Sequence, residues 1–164
     1  MANKNVMNWH EYFIRIADII KSKSKDQSTK VSAVLVDDKN SILGVGYNGF
    51  PRGVNDDIQS RHERPVKMLY TEHAERNAIY NAVRNGVKLD GAKIYLSNYG
   101  ISCAECTRAI IQSGIKEIIC RQGKFEGKDK QWEQSILVSK EMLNETNVKV
   151  IYLNDKFEEV PEIE

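Results

Sequence analysis

Residues 116–120, "KEIIC", and 148–153, "VKVIYL", are short β-branched runs, and "WEQSILVSKEMLNET" (132–146) between them reads as a complete helix. An antiparallel pair of strands can be joined by a tight turn, whereas parallel strands need a long crossover, usually a helix. These two strands are therefore expected to be parallel. Working outward, "KIYLS" (93–97) is a further strand, and residues 103–113 form a short helix that ends at Gly114. A helix is expected from about Thr71 to Asn85, stopping at Gly86. Before it, "VSAVLVDD" and "SILGVGYN" meet at "DDKN" as an antiparallel hairpin. Trp9, Tyr12, Phe13, Ile16 and Ile20 recur at helical spacing, so residues 8–22 read as an amphipathic helix. The expected fold is three-layer α/β/α. Its five-stranded mixed sheet has an antiparallel hairpin first and the last two strands parallel.

The chain has 164 residues, which suits a single domain, here placed over residues 1–153 with an acidic, frayed tail at 154–164. Its 41% hydrophobic and 29% charged content is that of a folded globular protein. A net charge of +1 speaks against a dedicated nucleic-acid binder. No apolar run reaches membrane-spanning length, and the first residues lack the apolar core of a secretory signal. Three cysteines, an odd number, suit a reducing cytoplasm better than a disulfide framework. Cys120, within a strand, reads as a buried thiol, and His10 as a solvated residue on the first helix.

The chemistry concentrates in two places. "SCAEC" sets Cys103 and Cys106 three residues apart at a helix entrance, where both sulfurs face one side and the thiolate is favoured. Alone, that pair suits a redox couple or two buried thiols as well as a metal. "YTEHAERNAIY" (70–80) puts Glu72, His73 and Glu75 at the head of the other helix. Acidic residues favour a helix N-terminus, and Thr71 would cap it, but neither fact gives His73 a task. His73 completes a Cys₂His set with a fourth position left for water, the arrangement of catalytic zinc; structural sites are closed by four protein ligands. Glu75 can serve the same site only if His73 lies in the first turn, since side chains two apart diverge within a helix. It would then act on the water without binding the metal.

His73-Ala74-Glu75 with Cys103-Ala104-Glu105-Cys106 resembles the zinc nucleoside and nucleotide deaminases. Together, "GVGYNGFPRGVNDD", "TEHAERNAIYNA" and "AECTRAIIQSGIKEII" look like the deoxycytidylate deaminases, a resemblance running from about Thr29 to Leu153. It implies a cytidine-deaminase-like fold and hydrolysis of dCMP to dUMP and ammonia for thymidylate synthesis. It also implies a homo-oligomer, hexamer or dimer, with dCTP plus Mg²⁺ and dTTP as opposing effectors. Arg84, three turns beyond His73, would face a neighbouring subunit's nucleotide or simply water. Some members hold a second zinc through His and Cys in the loop after the second strand. That loop has no cysteine here, so one Zn²⁺ per chain is expected. Other readings are a deaminase of dCTP, a riboflavin precursor or a tRNA adenosine, and a non-catalytic zinc module. Glu75 argues against the last.

By the same resemblance Asn48 would hydrogen-bond the sugar, and the Ala74 N–H and Ser102 carbonyl would hold the pyrimidine edge. Arg52 is the first candidate for the 5′-phosphate, with Arg61, His62, Arg64 and Lys67 as weaker ones in the long connection 49–70. The family usually has proline where Ser102 stands, and "SNYGISC" is about two residues longer than the usual connection. Serine is expected to cap the helix instead, and Tyr99 to take the place of the usual stacking aromatic.

Overall fold

The computed structural model describes residues 6–123 and 130–162, with only the backbone of Lys130 and Gln131. Asn8 caps the first helix, α1 (Trp9–Ile20), by accepting the Glu11 N–H, and a 3-10 turn at Lys21–Lys23 follows. Strands β1 (Ser32–Val36) and β2 (Ile42–Tyr47) form the expected hairpin. The Asp37 carboxylate accepts the Lys39 and Ser41 N–H groups at its turn, where Asn40 takes a positive φ of 64°. The connection that follows is not featureless: it contains a 3-10 turn at Gln59–His62 and a short helix, α2 (Lys67–Tyr70). Then come α3 (Ala74–Arg84), β3 (Lys93–Tyr99), α4 (Ala104–Gln112), β4 (Glu117–Arg121), α5 (Lys130–Glu145) and β5 (Lys149–Leu153). Gly86 and Gly114 end α3 and α4 at φ values of 69° and 81°, which cost glycine no Cβ clash.

The sheet has six strands, not five, in the order β2-β1-β3-β4-β5-β6. The sixth, β6 (Glu159–Val160), comes from the tail expected to fray. It pairs antiparallel with β5 through a turn in which the Asn154 carboxamide accepts the Lys156 and Glu158 N–H groups. His10 is not simply solvated: its ring bridges the Tyr95 hydroxyl and Glu159 of this strand, each at 3.2 Å. β4 and β5 are parallel as expected, and β3 joins them in parallel register with β4. The last two strands, β5 and β6, are thus antiparallel, as are β1 with β2 and β1 with β3.

The period of two in the strands divides the core. Ala33, Leu35, Ile94, Leu96, Ile118 and Cys120 face α3, α4 and α5 on one side. Val34, Val36, Tyr95, Ile119 and Ile151 face Phe13, Ile14 and Ala17 of α1 on the other. Cys120 is buried as expected, and burial pushes its thiol up to about 12. No helix among the described residues is long and apolar enough to cross a membrane.

Candidate metal centre and cleft

Two helix entrances meet on the α3 side of the sheet. α3 is drawn close to β2 by a stripe of small residues, with Ala74, Ala78 and Ala82 set against Gly44 and Gly46. Just before α3 the chain is extended, because Gly49 and Glu72 exchange backbone hydrogen bonds of 3.1 and 2.8 Å. His73 is consequently the N-cap residue, at φ −76° and ψ 153°, and not a member of the first turn. Thr71 lies outside and does not cap the helix. This geometry lets two side chains only two positions apart share a site, since the divergence rule applies within the helix. Glu72 accepts the His73 N–H at 2.9 Å and holds Arg76, which also reaches Glu105 at 3.0 Å. The entrances of α3 and α4 are thereby tied together.

On the facing side, Cys103 is the N-cap residue of α4. Ser102 does not cap it: no side chain of the cap makes that bond, and the Ser102 hydroxyl is buried without a partner among the described residues. The capping role falls to α5, whose Ser135 hydroxyl accepts the Ala104 N–H at 2.9 Å. One turn deeper, Thr107 and Ser139 share a hydrogen bond of 2.6 Å.

His73 Nδ1 lies 3.5 Å from Cys103 Sγ and 3.4 Å from Cys106 Sγ, and the three donor atoms fall within 4.8 Å of one another. Tetrahedral zinc, with Zn–S of about 2.3 Å and Zn–N of about 2.0–2.1 Å, would set S and N about 3.6 Å apart. The donors fit. Their electrostatics agree. The Cys103 thiol is lowered to about 4, by the Cys106 hydrogen bond and, against burial, by His73. Cys106 is pushed upward by that neighbouring thiolate and by burial. His73 is raised by its hydrogen bond to Cys103, against burial and with help from the Glu75 carboxylate. A divalent cation held by the two sulfurs and His73 would remove the opposition to a second thiolate. Glu75 is 7% exposed and makes no hydrogen bond among the described residues, yet its charge is felt by both His73 and Cys106. It stands beside the donor set without belonging to it.

The donors open onto a cleft of about 530 Å³, within the usual range for small-molecule sites. Pro51, Arg64, Met68, Tyr70, Arg108 and Trp132 are among the residues that line it. A family model describing the cytidine and deoxycytidylate deaminase zinc-binding region matches residues 7–122. The chain belongs to this family. The deaminase in the luxG 3′ region of Aliivibrio fischeri is 37% identical over 148 residues, covering 90% of this chain and 95% of that one. Human deoxycytidylate deaminase is 37% identical over 128 residues, covering 75% and 70% respectively. In architecture the chain is similar to the dCMP deaminase of cyanophage S-TIM5, solved in complex with dCMP and dUMP. The TM-score is 0.67 at 23% identity, over 87% of this chain and 95% of that one.

Within this deaminase fold several of the other expected site residues have partners of their own. The Asn48 carboxamide is used by the loop before β1: its nitrogen donates to Thr29 O and Asp26, and its oxygen accepts the Val31 N–H. Arg52 lies outside the cleft and donates to Asn81 Oδ1 at 2.6 Å. Lys67 is not a surface cation but is buried, 2.7 Å from Asp26. Arg61 donates to Asn55 O and sits over the Tyr70 ring, and His62 stacks on Phe50. Only Arg64 of that group lines the cleft. Tyr99 lies at the end of β3 against Gly123 and Arg121 and is not among the residues that line the cleft. The aromatic beside the donors is Trp132, whose ring centroid is 5.8 Å from that of His73 with 22° between planes. Trp132 and Ser135 are three residues apart at the head of α5, and Arg108 is four beyond Ala104. Those spacings put each pair on one helix face, a signal present in the sequence but not used. Arg84 is exposed on the last turn of α3, outside the cleft.

Proposed function

We propose that this chain is a zinc-dependent deoxycytidylate deaminase that converts dCMP and water into dUMP and ammonia, supplying thymidylate synthesis. The observation that carries this reading is the buried Glu75 carboxylate beside, but outside, the His73, Cys103 and Cys106 set. The kinship with proteins named deoxycytidylate deaminase supports the substrate. One zinc held by these three residues would bring the pKa of a water molecule toward neutrality. Glu75 takes a proton from the attacking water and gives it to ring N3. It then carries the second proton to the departing amino group, so that C4 keeps the oxygen and ammonia leaves. The Ala74 N–H, at a helix position with no intrahelical acceptor, and the Ser102 carbonyl hold the pyrimidine edge.

In the same reading the chain is a homo-oligomer in which dCTP with Mg²⁺ and dTTP act as opposing effectors, with Arg84 facing a neighbouring subunit. The test of the reaction is ammonia release from CMP, dCMP, dCTP and an adenosine-containing tRNA stem. Turnover confined largely to dCMP is expected. Preference for any of the others overturns the substrate assignment.

A further inference from the structure

The cleft beside the metal donors is lined by Arg64, Arg76 and Arg108. Arg76 is already neutralised by Glu72 and Glu105. Its hold on Glu105 also occupies the carboxylate that lies one turn before Arg108 on α4. Arg108 itself is exposed and has no acid, carbonyl or ring partner among the described residues. It follows Ala104 by four residues, about 6 Å along the helix axis and on the same face. Long helical side chains lean back toward the N-terminus, and Arg108 lines the same cleft as Cys103 and Ala104. Arg52 has the opposite situation. It is held to Asn81, whose own carboxamide donates to Val45 O at 2.6 Å, so the pair is fixed along α3 and β2 outside the cleft.

We propose that Arg108, and not Arg52, binds the 5′-phosphate and sets the preference for a nucleotide over a nucleoside. A base placed at the metal donors extends its sugar away from them, and an unpaired guanidinium one helical turn along α4 stands where the phosphate would emerge. Guanidinium suits that partner, because its planar donors can grip two phosphate oxygens at once. Exposure to water holds the effect to the lower end of a charge-assisted hydrogen bond, about tenfold in affinity. The assignment rests on the nucleotide reading of the cleft, but not on turnover.

The experiment is calorimetric titration of zinc-loaded protein with dUMP and with deoxyuridine, for the parent, Arg108→Ala, Arg108→Lys and Arg52→Ala. The parent is expected to bind dUMP about tenfold more tightly than deoxyuridine. Arg108→Ala should abolish that ratio by weakening dUMP alone, Arg108→Lys should restore part of it, and Arg52→Ala should leave it intact. Circular dichroism checks that each variant is folded. An unchanged ratio in Arg108→Ala, a lost ratio in Arg52→Ala, or no preference in the parent each overturn the proposal. An Arg108-dependent preference in a protein that releases no ammonia from dCMP would uphold this assignment while removing the proposed reaction.

Discussion

Gly46 of β2 lies so close to Ala78 of α3 that a Cβ on Gly46 would fall 2.2 Å from the Ala78 nitrogen and 2.4 Å from the Ala74 carbonyl oxygen. Both obstacles are backbone, so no side chain can swing aside. Gly46→Ala must push the head of α3 off the sheet, taking His73 and Glu75 with it. The expected loss of stability is about 3 kcal/mol or more, the upper end of overpacking costs. Thermal denaturation and zinc content should both fall. Gly44→Ala meets Ala78 O at 3.1 Å and Ala82 Cβ at 3.2 Å, and should cost distinctly less.

The buried Asp26 and Lys67 pair predicts an acid-sensitive step in stability. Burial alone would raise the Asp26 carboxyl, but the Lys67 ammonium and the Thr29 and Ser28 N–H groups outweigh it and hold the pKa below its ordinary value. With the folded pKa below the unfolded one, this stability is complete above about pH 3.9 and is lost as pH falls through the folded value. Asp26→Asn should flatten the acid limb of the Tm curve. It should also cost about 3–5 kcal/mol at neutral pH, because Lys67 is left buried without its counter-charge. An unaltered acid limb would mean that other carboxylates govern acid unfolding.

Much of this molecule was legible in its sequence, for reasons that differ between its parts. The hairpin, the helical crossover and the division of the core follow from β-branched runs and from spacings of two and three to four. β6 was missed because Glu159–Val160 is too short for a period, and its pairing depends on the Asn154 turn. His73, Glu75, Cys103 and Cys106 could be grouped because their chemistry is bound to short spacings at two helix heads. The phosphate candidates could not be ranked that way. Which loop cation is held by Asp26 or by Asn81, and which lines the cleft, is decided by tertiary packing and not by local spacing.

Trp132 supplies a prediction specific to the cleft. Its ring stacks beside His73, so it should support the bound base by contact and not by chemistry. Trp132→Ala should raise KM for dCMP about two- to tenfold, the worth of an aromatic pair, with kcat and zinc content little changed. Trp132→Phe should recover most of the loss. A large fall in kcat at unchanged KM would assign the indole to the reacting geometry.

Metal content separates a catalytic centre from an accidental cluster. Purified protein should carry one zinc per chain, and Cys106→Ser should lose it while Cys120→Ser keeps it. Two zincs per chain would require ligands outside His73, Cys103 and Cys106.

The most direct measurement is steady-state deamination of dCMP by the parent and by Glu75→Ala, with zinc determined on the same samples. The parent should release one ammonia per dUMP formed. Glu75→Ala should retain its zinc and its fold while turnover falls by about 10⁴-fold, the high end for a general acid–base group, because this one moves two protons. Loss of zinc from Glu75→Ala, or turnover close to that of the parent, would contradict the account.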